Sequence, residues 1–279
     1  MAEIGRRIEP DIGGTARMNH PTALADSVAE YEANGCVAAG RLDTATVDEL
    51  RASIDRISKE TRPEVVYEAG GDVVRALHGC HRFDAACAEL VRHPMLLDLA
   101  EAVLGGPVYV YQFKVNVKQP REGKEWPWHQ DYPFWHHEDG MPAPRALNIG
   151  IFLDDVHEDN GPLTVLPGTH RLGIIESPGA VPPAKGGDWR DHVSEKLTYT
   201  VDDARAAELE RDHPSRALLG PAGTVVAFHP SLLHSSTNNP SETRRALLLI
   251  TYNAVDNVPA HVTRPEFLVD RDTTPLERR

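Results

Sequence analysis

Residues 108–117 read VYVYQFKVNV, and this stretch decides the class of fold. β-Branched and aromatic residues alternate with polar ones at a period of two, the pattern of a strand with one buried face. Upstream the period is helical. Leu24, Val28 and Tyr31 share one face, and Gly35 is placed to stop that helix. Val47, Leu50, Ile54 and Ile57 form a second apolar stripe behind Asp43 or Thr44 as N-cap. A third helical stretch carries Leu96, Leu97, Ala100 and Val103 and ends at Gly105-Gly106. Downstream, strand-like runs recur at 146–153, 163–166, 224–229 and 246–252. Turn-forming clusters separate them: Asp159-Asn160-Gly161-Pro162, Pro167-Gly168, Pro221-Ala222-Gly223 and Asn238-Asn239-Pro240. Helices first and many short strands after imply an α+β protein built on a sandwich or barrel.

Residues 1–20 are polar and read as a flexible tail. Residues 21–279 read as a single domain, mainly helical over 21–105 and barrel-forming over 106–279. The polar insert at 177–216, with a short helical piece near 202–211, is placed to act as a lid.

The chemistry sits just beyond the opening strand, in WPWHQDYPFW (126–135). His129 and Asp131 are spaced i, i+2, and on a strand both side chains reach one ion. A second histidine from a distant strand completes a two-His-one-carboxylate set, and His234 in HPSLLHSSTNNP is the candidate. Such a facial triad leaves open positions, which non-haem Fe(II) needs to take a bidentate cosubstrate and O₂. By itself a His-x-Asp pair is unspecific in a chain with 14 histidines. Ser236 follows His234 by two residues and Arg245 by eleven, the latter inside the apolar run RRALLLITYN. A charge entering a buried strand needs a partner, and the arginine fork suits a carboxylate such as the distal end of 2-oxoglutarate. The plain alternative is an arginine closing a structural salt bridge. A zinc hydrolase or isomerase on a similar barrel has no use for Arg245 at this spacing.

The 279 residues carry a net charge of −13, which argues against nucleic acid and against anionic membrane surfaces, since both need a positive field. No run approaches a transmembrane length, and the N-terminus has no signal-like apolar core, so a cytoplasmic location is expected. Cys36, Cys80 and Cys87 have no CxxC spacing and read as reduced thiols. A metal site made by His78, His81 and Cys80 in HGCH is the weaker reading of that segment. His136 and His137 read as exposed, while His170 and His229 read as structural.

The His-x-Asp pair, NGPLTVLPGTH (160–170), and His234 with Ser236 and Arg245 resemble the phytanoyl-CoA dioxygenase superfamily. WHQDYPFWHHEDGMP (128–142) is similar to the signature of its ectoine hydroxylase branch. RALHGCHRFD (75–84), VYVYQFKVNVK (108–118), GPAGTVVAF (220–228), TYNAVDN (251–257) and RPEF (264–267) are still more similar to its proline trans-4-hydroxylase branch. The resemblance covers roughly residues 70–275 and implies a double-stranded β-helix, or jelly roll, with helices packed outside. It implies Fe(II) on His129, Asp131 and His234, with 2-oxoglutarate and O₂ as cosubstrates. Asn116, Asn148, Ser236 and Arg245 would hold 2-oxoglutarate; Gln112, Lys114 and Trp135 would line the substrate pocket. Related halogenases lack the carboxylate ligand, so Asp131 disfavours halogenation. The implied activity is hydroxylation of a small molecule, foremost a free cyclic amino acid such as proline. A tailoring oxygenase acting on a larger natural-product intermediate and a catalytically silent jelly-roll binding module are the alternatives. The sequence carries no signal for an oligomeric state.

Overall fold

The computed structural model describes residues 23–69, 71–176, 189, 193 and 197–278. The expected tail at 1–20, and most of the first half of the 177–216 insert on which the lid reading rests, lie outside the described residues.

The described strands form two antiparallel sheets. The larger contains, in spatial order, β1 (Cys36–Arg41), β9 (Thr224–Phe228), β6 (Ala146–Phe152), β11 (Arg245–Ala254), β4 (Val108–Lys118), β3 (Val74–His78) and β2 (Val65–Tyr67). The smaller contains β5 (Trp126–His129), β10 (His234–Ser236), β7 (Leu163–Val165) and β8 (Arg216–Leu218). The chain changes sheet between β4 and β5, β5 and β6, β6 and β7, β8 and β9, β9 and β10, and β10 and β11. That alternation is the winding of a double-stranded β-helix, and it places the inner faces of the two sheets around one interior.

Helices α1 (Leu24–Asn34), α2 (Thr44–Ile57), α3 (Ala85–Leu90) and α4 (Pro94–Leu104) precede the jelly roll in the chain. Asp43 caps α2 by accepting from the Thr46 amide at 3.0 Å. Gly35 ends α1 with a φ of 75°, and its amide returns to the Tyr31 carbonyl at 2.7 Å. Val47, Leu50, Ile54 and Ile57 are buried in the same cluster as Leu77, Val115 and Ile250, so the stripe read from the sequence is what fastens α2 to the large sheet. Each such side chain contributes about 1.5–3 kcal/mol by leaving water.

Two features depart from the reading of the sequence. The region 21–105 is largely helical but also supplies β1, β2 and β3 to the edges of the large sheet. β2 is too short for periodicity to declare it, and β1 and β3 do not alternate; partners distant in sequence, β9 and β4, make β1 and β3 strands. The alternation in β4 also slips once. Gln112 pairs with Thr251 and Val110 with Tyr252, which leaves Tyr111 as the extra residue of a bulge. Val108 and Val110 therefore join Phe113, Val115 and Val117 in the cluster under the helices. Tyr109 and Tyr111 pack instead with Tyr132, Phe134 and Trp135. Among the described residues no helix is long and apolar enough to cross a membrane.

Candidate active site

β5 and β10 lie side by side in the small sheet, and His129 is directly opposite His234. Their ring centroids are 4.1 Å apart. The strand ends at His129. Gln130 remains extended and Asp131 opens the short helix α5 (Asp131–Phe134), so the pair expected on one strand straddles a strand–helix junction. The extended Gln130 preserves the common direction of its two neighbours. Its side chain fixes the junction by donating to the Ser231 carbonyl at 2.6 Å and accepting from the Ile175 amide at 2.8 Å.

Asp131 Oδ1 is 3.9 Å from His129 Nε2, and Asp131 Oδ2 is 4.0 Å from His234 Nε2. These donor atoms all lie within 4.8 Å of one another, the spacing a single ion requires. Nδ1 of each histidine faces a backbone carbonyl, Pro127 at 2.7 Å and Leu232 at 2.9 Å. That contact places the proton on Nδ1 and turns the Nε2 lone pair toward Asp131. Burial, then the neighbouring His234, pushes His129 down to about 3. Burial likewise lowers His234. Both imidazoles are therefore neutral and able to ligate at physiological pH. Burial opposes charge on Asp131, but the Lys114 ammonium and the Asn148 amide outweigh it and hold the carboxyl below its usual range. The donor set is thus two neutral nitrogens and one carboxylate, which fits Fe(II).

The other expected residues gather here. Gln112, Lys114, Asn116, Trp135, Ser236 and Arg245 line the same cavity as the triad. Lys114 Nζ lies 3.7 Å from Asp131 Oδ1. Trp135 is buried and meets Tyr111 edge-on, with centroids 5.2 Å apart. Asn148 differs in what it touches. Its amide donates to Asp131 Oδ2 at 2.8 Å, and its oxygen accepts from Thr251 at 2.7 Å. Here the contact is with the carboxylate of the triad rather than with space for a cosubstrate. Asn148→Ala is expected to weaken Fe(II) binding about 10–100-fold, read by titrating metal against the purified protein. An unchanged metal affinity would leave Asn148 without a role in orienting Asp131.

Arg245 is 2% exposed at the start of β11. One amino group reaches the Gly161 carbonyl, and its Nε has no hydrogen-bond partner. Burial pushes its pKa down to about 9 against the pull of Asp154. Among the described residues no carboxylate forms an ion pair with it, so the structural salt bridge set against the functional reading is not made. Gly161 permits this contact. Its φ is 72°, and an added Cβ would lie 2.6 Å from the Thr237 carbonyl. Asn116 Oδ1 is also buried without a partner. The orphaned guanidinium nitrogen fits an anionic occupant such as 2-oxoglutarate, to which Asn116 could offer its amide nitrogen; its orphaned oxygen, an acceptor, takes a donor instead.

Three features were not assigned from the sequence. Arg264 lines the cavity, with Nε 3.1 Å from Asp139 Oδ1 and Nη2 on the other carboxylate oxygen. Tyr111 donates to the same carboxylate. The strand period hid this because the bulge reverses which face Tyr111 presents. His78 also lines the cavity, whereas His81 turns away to Asp270 at 2.9 Å and stacks on Phe113. The HGCH segment is therefore divided and does not gather a second set of metal ligands; among the described residues the triad is the one such group.

Residues 31–247 match the phytanoyl-CoA dioxygenase (PhyH) family. The chain is 61% identical over 230 residues to L-proline trans-4-hydroxylase of Streptomyces griseoviridis, covering 82% of this chain and 86% of that protein. It is 35% identical over 242 residues to ectoine dioxygenase of Bordetella bronchiseptica, covering 84% of this chain and 76% of that one. Among solved structures it is similar to EctD from S. alaskensis with 2-oxoglutarate and 5-hydroxyectoine. That likeness has a TM-score of 0.76 at 28% identity, over 99% of this chain and 95% of that chain. On the span of the family match and the identity to its relatives, with the winding and triad described above, this chain belongs to the phytanoyl-CoA dioxygenase family.

Proposed function

We propose that this protein is an Fe(II)- and 2-oxoglutarate-dependent dioxygenase that hydroxylates an unactivated C–H bond of a free cyclic amino acid, with L-proline the first choice. The observation that carries it is a buried arginine, without a carboxylate partner among the described residues, in the same cavity as a His–Asp–His triad. The choice of substrate is supported by the 61% identity to L-proline trans-4-hydroxylase. A reducing, cytoplasmic setting suits the three free, buried thiols.

His129, Asp131 and His234 would hold the iron, and Arg245, Ser236 and Asn116 would hold 2-oxoglutarate. Together the bound iron and 2-oxoglutarate supply the O₂-activating chemistry. The chain's own contribution is placement and dryness. The carbonyls of Pro127 and Leu232 fix the two imidazole tautomers. Asn148 holds one oxygen of Asp131 and leaves the other toward Lys114. Gln112 and Lys114 offer polar contacts to the substrate, while Phe134 and Trp135 form an apolar wall that excludes water from the reacting carbon.

The test follows succinate from 2-oxoglutarate on the Fe(II)-reconstituted protein, alone and with L-proline, pipecolate or ectoine. A several-fold rise with one cyclic amino acid, and a product heavier by one oxygen, is the expected result. Slow succinate that no amino acid stimulates would direct the search to larger intermediates. No succinate from iron-loaded protein would overturn the activity and favour a silent binding module.

A further inference from the structure

β3 ends at His78, and in the register of β3 against β4 His78 stands directly opposite Lys114. Residues directly opposite in an antiparallel pair share a face. His78 therefore looks into the interior with Lys114, and it lines the cavity that holds the triad. It is 6% exposed, and its Nε2 is buried with no hydrogen-bond partner among the described residues. A buried ring nitrogen left unpaired signals a ligand group that is yet to arrive.

The surroundings identify that group. Lys114 and Arg264 both line the cavity and both act electrostatically on His78. Burial, reinforced by these two cations, pushes His78 down to about 3, so its ring is neutral and carries one N–H. Both cations have carboxylate partners, Asp131 for Lys114 and Asp139 for Arg264, but it is the cations that act on His78, so a carboxylate arriving beside its N–H is favoured over an ammonium group.

We propose that His78 is a specificity-determining residue that donates a hydrogen bond to the carboxylate of the cyclic amino acid, beside Lys114. The inference rests on the substrate reading given above and sharpens it. His78 selects a free carboxylate, so an amide or ester of the same ring is a poor ligand.

The test compares L-proline with L-prolinamide, which keeps the ring and loses the carboxylate charge. Binding is measured by calorimetry on protein loaded with 2-oxoglutarate and Mn(II), which does not turn over, and Michaelis constants are measured on the Fe(II) enzyme. His78→Phe is expected to weaken proline binding about 10–100-fold and prolinamide binding less than about threefold. The Michaelis constant for proline should rise at least about tenfold more than that for 2-oxoglutarate. His78→Asn, which keeps an N–H donor, should recover part of the loss and guards against a folding defect in the phenylalanine variant. Equal losses for proline and prolinamide, or an unchanged proline affinity in His78→Phe, would overturn the inference while leaving the substrate reading intact. Failure of the wild-type protein to bind or turn over any cyclic amino acid would overturn that reading and this inference with it.

Discussion

Asp131→Ala is expected to reduce Fe(II)-dependent succinate formation to less than about a thousandth of wild type, with the fold retained. The substitution acts in two ways. It removes the carboxylate from a set of three donors and leaves two neutral imidazoles whose centroids are 4.1 Å apart. It also removes the negative charge that Lys114 faces at 3.7 Å. A cation approaching the variant would meet an uncompensated ammonium where the native site offers a carboxylate. Asp131→Asn tests the second effect, because it keeps the shape and removes the charge; it is expected to fail nearly as completely. Metal content after reconstitution and succinate formation should fall together. The far-ultraviolet circular dichroism should not change, because Asp131 is the first residue of a four-residue helix whose next residue, Tyr132, is held independently by the hydrogen bond its amide donates to the Pro230 carbonyl. Substantial coupled turnover in Asp131→Ala would remove this residue from the ligand set.

The fold was legible where a periodic pattern was long. β4, β6, β9 and β11 each present at least five strand residues, and the three longest N-terminal helices end or begin at residues with an evident stop or cap. Short elements were hidden for a physical reason. A strand of three residues such as β10 has no period of its own and exists because β5 and β7 flank it with hydrogen-bonding edges. The triad was nevertheless readable, because its information lies in residue types and in the intervals from His234 to Ser236 and Arg245, which do not depend on element boundaries. What the intervals lacked was depth. Asn148 was placed near the site by resemblance, but its contact with Asp131 depends on β6 lying beside β11, so that Thr251 can hold the far end of the amide. His78 was hidden by its neighbours Cys80 and His81, which invite a metal reading. Gly79, with a φ of 60°, turns the chain and sends His81 to the opposite side of β4. The Tyr111–Asp139–Arg264 network depends on a bulge, and a bulge is visible only when both strands are seen in register.

Arg245→Met is expected to raise the 2-oxoglutarate requirement by roughly 30-fold to several thousand-fold, equivalent to about 2–5 kcal/mol, while the amino acid requirement changes far less. The size follows from the burial of the guanidinium and from its forming no ion pair with a carboxylate among the described residues. Lys118 deepens the argument. It stands opposite Arg245 in the β4–β11 register and donates to the carbonyls of Ser236 and Thr237. Burial, then Arg245 and Arg75, pushes Lys118 down to about 6. The crowding of positive charge is thus met by Lys118 giving up its proton more readily, and a carboxylate placed against Arg245 would offset that charge as well as filling the vacant donor. The same reasoning gives an effect of opposite sign on stability. Without cosubstrate, Arg245 is a buried charge whose desolvation nothing fully offsets, so replacing it by an apolar side chain of similar length should raise the thermal midpoint of the metal-free protein. Arg245→Lys keeps a charge but loses the planar fork, and should recover only part of the 2-oxoglutarate affinity. A variant that binds 2-oxoglutarate normally but melts earlier would make Arg245 a structural strand residue after all. A variant that melts later and has lost its cosubstrate would show that the charge is kept in the core for binding, at the expense of the fold.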